Sequence, residues 1–61
     1  MLTYIGFENK SWFSEFRDSI EKQKKVLNET AFYLCKTSAG VIRFRYSIDG
    51  RIEFDCILEE K

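Results

Sequence analysis

The chain has 61 residues, of which 44% are hydrophobic and 33% are charged, and its ten basic residues balance its ten acidic ones. A domain of about 60 residues buries only roughly 60% of the surface that its unfolded chain exposes. The chain is therefore too short to form a second hydrophobic core. The balanced charge excludes a strong field that would steer the protein to nucleic acid or to an anionic membrane. We therefore predict one compact domain spanning residues 1–61.

The start of the chain, MLTY, has neither a basic segment nor a long apolar run. We therefore expect no signal peptide and no membrane span, and a cytoplasmic location. Residues 1–7 are rich in aromatic and β-branched side chains, which predicts a first strand. Gly6 is expected to loosen the end of this strand.

Apolar residues recur at helical spacings between Asn9 and Asn28, which predicts one helix over about this range. Asn9 or Ser11 is expected to cap its start, and Asn28 to end it in the left-handed conformation. The apolar positions are Trp12, Phe13, Phe16, Ile20 and Leu27. On the exposed side, ion pairs four residues apart are expected at Asp18–Lys22 and Glu21–Lys25. The lysine cluster Lys22, Lys24 and Lys25 is typical of a solvated helix face; the alternative is a docking site for an acidic partner.

Three alternating runs follow, at residues 30–37, 41–48 and 51–58, and turn signals separate them. This pattern predicts an antiparallel meander. The element order is then β-α-β-β-β, and the fold class is α+β, with a single helix packed on one face of a mainly antiparallel sheet. The first strand is expected to join one edge of this sheet, and the sequence does not decide which edge.

For the second hairpin, a three-residue loop formed by residues 48–50, with Gly50 in the left-handed position, gives a better register than a two-residue Asp49-Gly50 loop. It places hydrophobic partners on one face and opposite charges on the other. The resulting pairs are Phe44–Phe54, Tyr46–Ile52, Arg43–Asp55 and Arg45–Glu53.

The same geometry applied to residues 38–40 pairs Leu34 with Phe44 and Phe32 with Tyr46 on the face that the helix covers. The predicted core of the sheet is then Phe32, Leu34, Ile42, Phe44, Tyr46, Ile52, Phe54, Cys56 and Leu58. The opposite face is predicted to be open and to carry Tyr33, Cys35, Arg43, Arg45, Asp55 and Ile57.

The chain contains no histidine and two cysteines, which are expected to be reduced thiols on opposite faces of the sheet. No zinc site and no cofactor are expected from this set of residues. Cys35, predicted to lie outward beside Arg43, is the one candidate nucleophile, because a neighbouring cation lowers a thiol pKa. The alternative is that Cys35 is a semi-exposed strand residue with no chemical role. Glu53 and Asp55 face arginines that would keep both ionised, so we expect no acid–base pair and no enzyme.

Tyrosine and arginine are enriched where protein interfaces concentrate their binding energy. The open face therefore predicts a protein-binding site, with the candidate residues Tyr33, Arg43, Arg45, Asp55 and Ile57. One alternative is a nucleic-acid-binding module that uses Tyr33, Arg43 and Arg45. Others are a structural homo-oligomer that pairs through an exposed strand edge, and a solvated network of ion pairs with no partner.

Two stretches resemble the Dmd antitoxins of T-even-type bacteriophages, small proteins of nearly this length. They are Ile5-Gly6-Phe7 with Ser11 and Phe13, and Ile52-Glu53-Phe54-Asp55-Cys56. Together they cover about a third of the chain. The resemblance implies a phage protein in the host cytoplasm that inhibits a host endoribonuclease toxin by occupying its active-site region. The middle of the chain departs from the family pattern, and no toxin-contacting residue of the family is carried over.

Overall fold

One helix and four strands follow the predicted order in the computed structural model, which describes residues 2–58. The α+β class is confirmed. Met1, part of the predicted first strand, lies outside the described residues. The elements are β1 (Thr3–Ile5), α1 (Phe13–Lys22), β2 (Ala31–Thr37), β3 (Gly40–Tyr46) and β4 (Arg51–Leu58), and a short 3-10 turn, Lys24–Val26, follows α1.

The four strands form one mixed sheet in the order β1-β4-β3-β2. β1 runs parallel to β4, and the other two pairings are antiparallel. The first strand therefore joins the edge formed by β4, which resolves the choice that the sequence left open. The two edges of the sheet are unequal, because β1 has 3 residues and β2 has 7.

The helix begins later than predicted, and neither Asn9 nor Ser11 caps it. Trp12 is the N-cap residue and makes no hydrogen bond from its side chain to the helix. The N–H of Phe13 instead donates to the carbonyl oxygen of Lys10 at 3.1 Å, so a preceding turn satisfies this otherwise unpaired donor. Asn9 adopts a positive φ of 64° in the turn before this one, where the Lys10 N–H donates to the carbonyl oxygen of Phe7 at 3.3 Å. Trp12 packs into the core at 8% exposure.

The helix also ends before Asn28, contrary to the prediction. The N–H of Gln23 is shared between the carbonyl oxygens of Ser19 and Ile20, at 3.1 and 3.0 Å, which tightens the last turn. The chain then continues as a 3-10 turn and brings Leu27 into the core. Within residues 2–58 the ion pair observed along this segment joins Glu21 to Lys24 at 3.1 Å, in place of the two predicted pairs.

The core lies between α1 and one face of the sheet, which we call the inner face. Its fully buried side chains are Phe16 and Ile20 from the helix and Ile42, Phe44 and Ile52 from the sheet. The remaining buried hydrophobic residues are Phe7, Trp12, Leu27, Cys35 and Tyr46. The predictions that the helix covers the sheet and that Ile42, Phe44, Tyr46 and Ile52 belong to the core are confirmed.

The hairpin between β3 and β4 has the predicted three-residue loop. Gly50 has a φ of 97°, and its N–H donates to the carbonyl oxygen of Ser47 at 2.8 Å, which closes the turn. The pairs Phe44–Phe54, Tyr46–Ile52 and Arg45–Glu53 are all observed.

Beyond Phe54 the predicted register is wrong, because β4 contains a bulge. Phe44 pairs with Phe54, whereas Arg43 pairs with Cys56, so Asp55 is an additional residue in the ladder. Cys56 therefore shares a face with Arg43, and Ile57 lies opposite the buried Ile42. The assignments of Cys56 and Leu58 to the core, and of Ile57 to the open face, are corrected accordingly.

The hairpin between β2 and β3 has a two-residue loop rather than the predicted three, because Thr37 pairs with Gly40. The Thr37 hydroxyl donates to the Gly40 carbonyl at 3.0 Å and accepts from the Ala39 N–H at 3.1 Å. Glu15 ties this loop to the helix, since its carboxylate accepts hydrogen bonds from the Ser38 N–H at 3.0 Å and from the Ser38 hydroxyl at 2.7 Å.

This one-residue difference inverts β2, because neighbouring strand residues point to opposite faces. Tyr33 now pairs with Phe44, and Cys35 with Ile42, on the inner face. Phe32 and Leu34, predicted to be core residues, lie on the opposite face with 51% and 59% of their surface exposed. The predicted outward positions of Tyr33 and Cys35 are therefore wrong.

Candidate protein-binding surface

The outer face is the side of the sheet that points away from α1. Three of the five predicted binding residues lie on it, namely Arg43, Arg45 and Asp55. The other two, Tyr33 and Ile57, belong to the inner side. The outer face gains three large apolar side chains that the sequence analysis had placed in the core, Phe32 and Leu34 on β2 and Leu58 at the end of β4.

Two cross-strand ion pairs run along the middle of the outer face. Arg43 Nη1 lies 3.3 Å from Asp55 Oδ2, and Arg45 Nη1 lies 3.6 Å from Glu53 Oε1. Between 38% and 48% of each of these side chains is exposed. Pairs this exposed contribute about 0 to 1 kcal/mol to folding, so they define the charge pattern of the face more than they stabilise the domain.

Phe32 and Arg43 form the best-defined contact on the outer face. The guanidinium carbon of Arg43 lies 4.2 Å from the centre of the Phe32 ring, within the range of a cation–π interaction. The same guanidinium also reaches Asp55, so it is held from two sides. This arrangement restricts the Arg43 side chain before any partner arrives, which lowers the entropy that binding would cost.

Leu34 extends the apolar part of the face beyond Phe32 along β2. It pairs with Arg43 across the strand, and Phe32 pairs with Arg45. The aromatic ring, the leucine and the two arginine stems therefore form one surface patch. We call Phe32, Leu34, Arg43 and Arg45 the β2–β3 patch.

Tyr33 has a structural place instead of the predicted binding role. Its ring stacks on Phe44 with 6.0 Å between the ring centres, and its hydroxyl donates to the carbonyl oxygen of Glu29 at 3.0 Å. A half-buried tyrosine commonly needs such an acceptor. The sequence carried no signal that favoured Tyr33 over Phe32 for the inner face, because the acceptor for the Tyr33 hydroxyl is placed only by the folded chain.

The two cysteines exchange their predicted positions but remain on opposite faces. Cys35 is 3% exposed beneath the helix, and burial raises the pKa of its thiol. Cys56 lies on the outer face, where a hydrogen bond with the Asp55 carboxylate raises the pKa of its thiol. Cys35 does not lie beside Arg43, so the basis for considering it as a nucleophile is absent.

These environments predict different thiol reactivities in the folded protein. We expect iodoacetamide to alkylate Cys56 in the native state and to reach Cys35 only after unfolding, because Cys35 is buried. The rate at Cys56 should rise with pH up to its raised pKa, because the thiolate is the reacting form. Peptide mapping of the labelled protein, with and without denaturant, gives both rates. Equal labelling of the two cysteines in the native state would contradict the placement of Cys35.

Two shallow pockets lie away from the β2–β3 patch. One, of about 300 Å³, lies between the 3-10 turn and the β3–β4 loop; the other, of about 230 Å³, lies between β1 and the start of the helix. Within residues 2–58 no three His, Cys, Asp or Glu side chains are placed to share a metal ion. No helix in this part of the chain has the length and hydrophobicity to cross a bilayer.

Comparisons of the chain with family models, with curated proteins and with solved structures give no match. The assignment of a function therefore rests on the surface itself.

Proposed function

We propose that this protein is a small non-enzymatic inhibitor that binds another protein through the β2–β3 patch and blocks it. The exposed Phe32 ring held beneath Arg43 carries this proposal. An aromatic side chain and an arginine at the centre of a patch are the residue types that most often supply the binding energy of protein interfaces.

The exposure of Phe32 and Leu34 supports a partner. Both side chains leave more than half of their surface in contact with water, in a domain too small to spare large apolar residues from its core. A cluster of exposed apolar side chains with a charged rim is typical of an interaction site. The charged rim here consists of Arg45, Glu53 and Asp55, around the stacked pair Phe32 and Arg43.

The charges of the outer face favour a protein over a nucleic acid as the target. Each arginine of the patch has a carboxylate within 4 Å, at 3.3 and 3.6 Å. Those carboxylates would repel phosphates, whereas nucleic-acid affinity depends chiefly on unopposed positive charge. A protein partner meets both signs of charge and can match them.

The resemblance to Dmd antitoxins supports a bacterial endoribonuclease toxin as the class of target. The residues that carry the resemblance include Phe7 and Ile52, which are buried, and Phe54, which packs against the core. These side chains form the core of this domain, so the resemblance suggests only a class of target, and the contacts with a target are assigned from the patch alone.

Affinity capture with a matched pair of baits tests the proposal. Wild-type protein and a Phe32→Ala/Arg43→Ala variant are immobilised and exposed to the same bacterial lysate. We expect one protein to be enriched on the wild type and lost on the variant. Titration calorimetry with that purified protein should then show a loss of more than about 2 kcal/mol in binding for the variant, which is roughly a 30-fold weaker complex.

Val26→Ala is the control for a nonspecific effect of losing an exposed apolar side chain. Val26 is 59% exposed, as Leu34 is, but it lies in the 3-10 turn outside the sheet. Binding by the Val26 variant should equal that of the wild type, and circular dichroism should show that all variants are folded. A partner retained by the Phe32→Ala/Arg43→Ala variant would reject the patch as the binding site. Captured nucleic acid that is released by salt would favour the alternative function.

A further inference from the structure

The paired charges of the outer face are sorted by strand. Both cations, Arg43 and Arg45, come from β3, and both anions, Glu53 and Asp55, come from β4. We call these two sets the basic row and the acidic row. Because β3 lies between β4 and β2, the two ion pairs point in the same direction across the sheet, with their positive ends toward β2.

Sorting the charges by strand brings no advantage to folding. The Cα atoms of Arg43 and Arg45 lie about 7 Å apart along β3, so the two like charges are close enough to feel each other in physiological salt. Reversing one pair would place opposite charges next to each other along each strand as well as across the sheet. Because exposed pairs contribute about 0 to 1 kcal/mol to folding, the sorted rows matter more to a molecule that approaches the face.

The pair Arg45–Glu53 is held less tightly than the pair Arg43–Asp55. Arg45 Nη1 and Glu53 Oε1 are 3.6 Å apart, which is too far for a hydrogen bond, and 48% and 38% of the two side chains are exposed. Arg43, by contrast, hydrogen-bonds Asp55 and stacks on Phe32. Arg43 is therefore fixed within the patch, whereas Arg45 and Glu53 keep hydrogen-bonding capacity for the charges of a target.

The neighbours of Arg45 set the order of chemistry across the face. Arg45 pairs with Phe32 on the β2 side and with Glu53 on the β4 side. Neighbouring strands are about 4.8 Å apart. A target seated on the β2–β3 patch therefore meets an apolar surface, a cation and an anion in that order, within roughly 10 Å.

We propose, as a refinement that rests on the proposed function, that the patch recognises a protein segment of complementary order. The segment places a large apolar side chain over Phe32, a carboxylate over Arg45 and a cation over Glu53. This order fixes the orientation of the target, because a segment docked the other way round would bring like charges together at a large energetic cost. A run of phosphates carries one sign of charge and does not satisfy both rows.

Exchanging the two residues of one ion pair tests the order directly. The variant Arg45→Glu/Glu53→Arg keeps the net charge, an ion pair and the ring of Phe32, but reverses the polarity that a target meets. The probes are synthetic peptides from a displayed library of short random sequences, selected on the wild type and counter-selected on Phe32→Ala/Arg43→Ala. Enriched peptides should carry a large apolar residue, an acidic residue and a basic residue. Fluorescence anisotropy should show their dissociation constants rise about tenfold or more on the exchanged variant.

Glu21→Lys/Lys24→Glu is the matched control for this exchange. The two side chains form an ion pair at 3.1 Å with 48% and 54% exposure, similar to the patch pair, but they lie at the end of α1. This variant should bind the peptides as the wild type does, and circular dichroism should show that both exchanged proteins are folded. Arg45→Gln and Glu53→Gln each remove one charge without reversing it and should each weaken binding, so they test the order even if the exchanged variant fails to fold.

Three results would overturn the proposed order. They are equal affinity for the exchanged and wild-type proteins, tighter binding by Glu53→Gln, and a selection that enriches no peptide with both charges. Each of them leaves the proposed inhibitory function standing. That function is rejected by a different result, a target protein retained by Phe32→Ala/Arg43→Ala.

Discussion

Phe16→Ala is expected to destabilise the domain by about 3 to 5 kcal/mol, the usual cost of removing a buried phenylalanine. Phe16 has no exposed surface, and its ring lies 4.8 Å from that of Phe7 and 5.2 Å from that of Phe44, measured between ring centres. It is therefore the side chain that joins the helix both to the segment after β1 and to the sheet. Small domains have a total stability of roughly 0.05 to 0.15 kcal/mol per residue, so this single change should leave much of the protein unfolded.

Urea unfolding followed by circular dichroism measures this loss, with Val26→Ala as the matched control. Val26 is 59% exposed, and its truncation should change the free energy of unfolding by no more than about 0.5 kcal/mol. A Phe16→Ala protein with nearly the same midpoint as the control would mean that the helix does not pack on the sheet through Phe16.

Gly40→Ala should destabilise the domain by about 1 to 3 kcal/mol, through backbone strain. Gly40 has a φ of 124°, a region that residues with a Cβ atom rarely occupy. A Cβ atom at this position would also lie 3.2 Å from Ile57 Cγ2 and 3.3 Å from the carbonyl oxygen of Leu58. Relief of the strain would require movement of the loop between β2 and β3.

Ala39→Ser in the same loop serves as the control for Gly40→Ala, because Ala39 is exposed and does not have a positive φ. Thermal unfolding should show a clear drop in Tm for Gly40→Ala and almost none for Ala39→Ser. If both variants had the Tm of the wild type, the two-residue loop and the observed orientation of β2 would be contradicted.

The hairpin between β3 and β4 could be predicted from sequence because several signals agreed. Asp49-Gly50 marked the turn, and the alternation of Phe44 and Tyr46 with arginines left one register that separated apolar from charged residues. The bulge at Asp55 shifts the alternation of β4 by one residue, but the sequence hides the shift because residues 56–58 are all apolar and fit either face.

The orientation of β2 could not be predicted, because both of its faces are apolar. Phe32 and Leu34 alternate with Tyr33 and Cys35, so hydrophobicity does not choose between the two orientations. The loop decided the face, and a loop of two or three residues fits residues 37–40 equally well by composition. Hydrogen bonds of the folded chain select the two-residue loop: the Glu15 carboxylate accepts from Ser38, and the Thr37 hydroxyl donates across the turn to Gly40.

The same inversion explains why the candidate site was only partly anticipated. Arg43 and Arg45 belong to β3, whose register with β4 the sequence determined, and both were placed correctly. Phe32 was missed because a large aromatic residue in a 61-residue chain is expected to be in the core. The structure explains the exposure of Phe32, because the Arg43 guanidinium stacks on its ring.

The bulge at Asp55 has a consequence for the alignment of related chains. Residues on either side of it keep their faces as though Asp55 had been inserted into a regular strand, since Phe54 pairs with Phe44 and Cys56 with Arg43. A relative with an uninterrupted strand would therefore need a gap after Phe54. An alignment without that gap would match Cys56 to a position of the inner face and Ile57 to one of the outer face, and would misassign the surface at the end of β4.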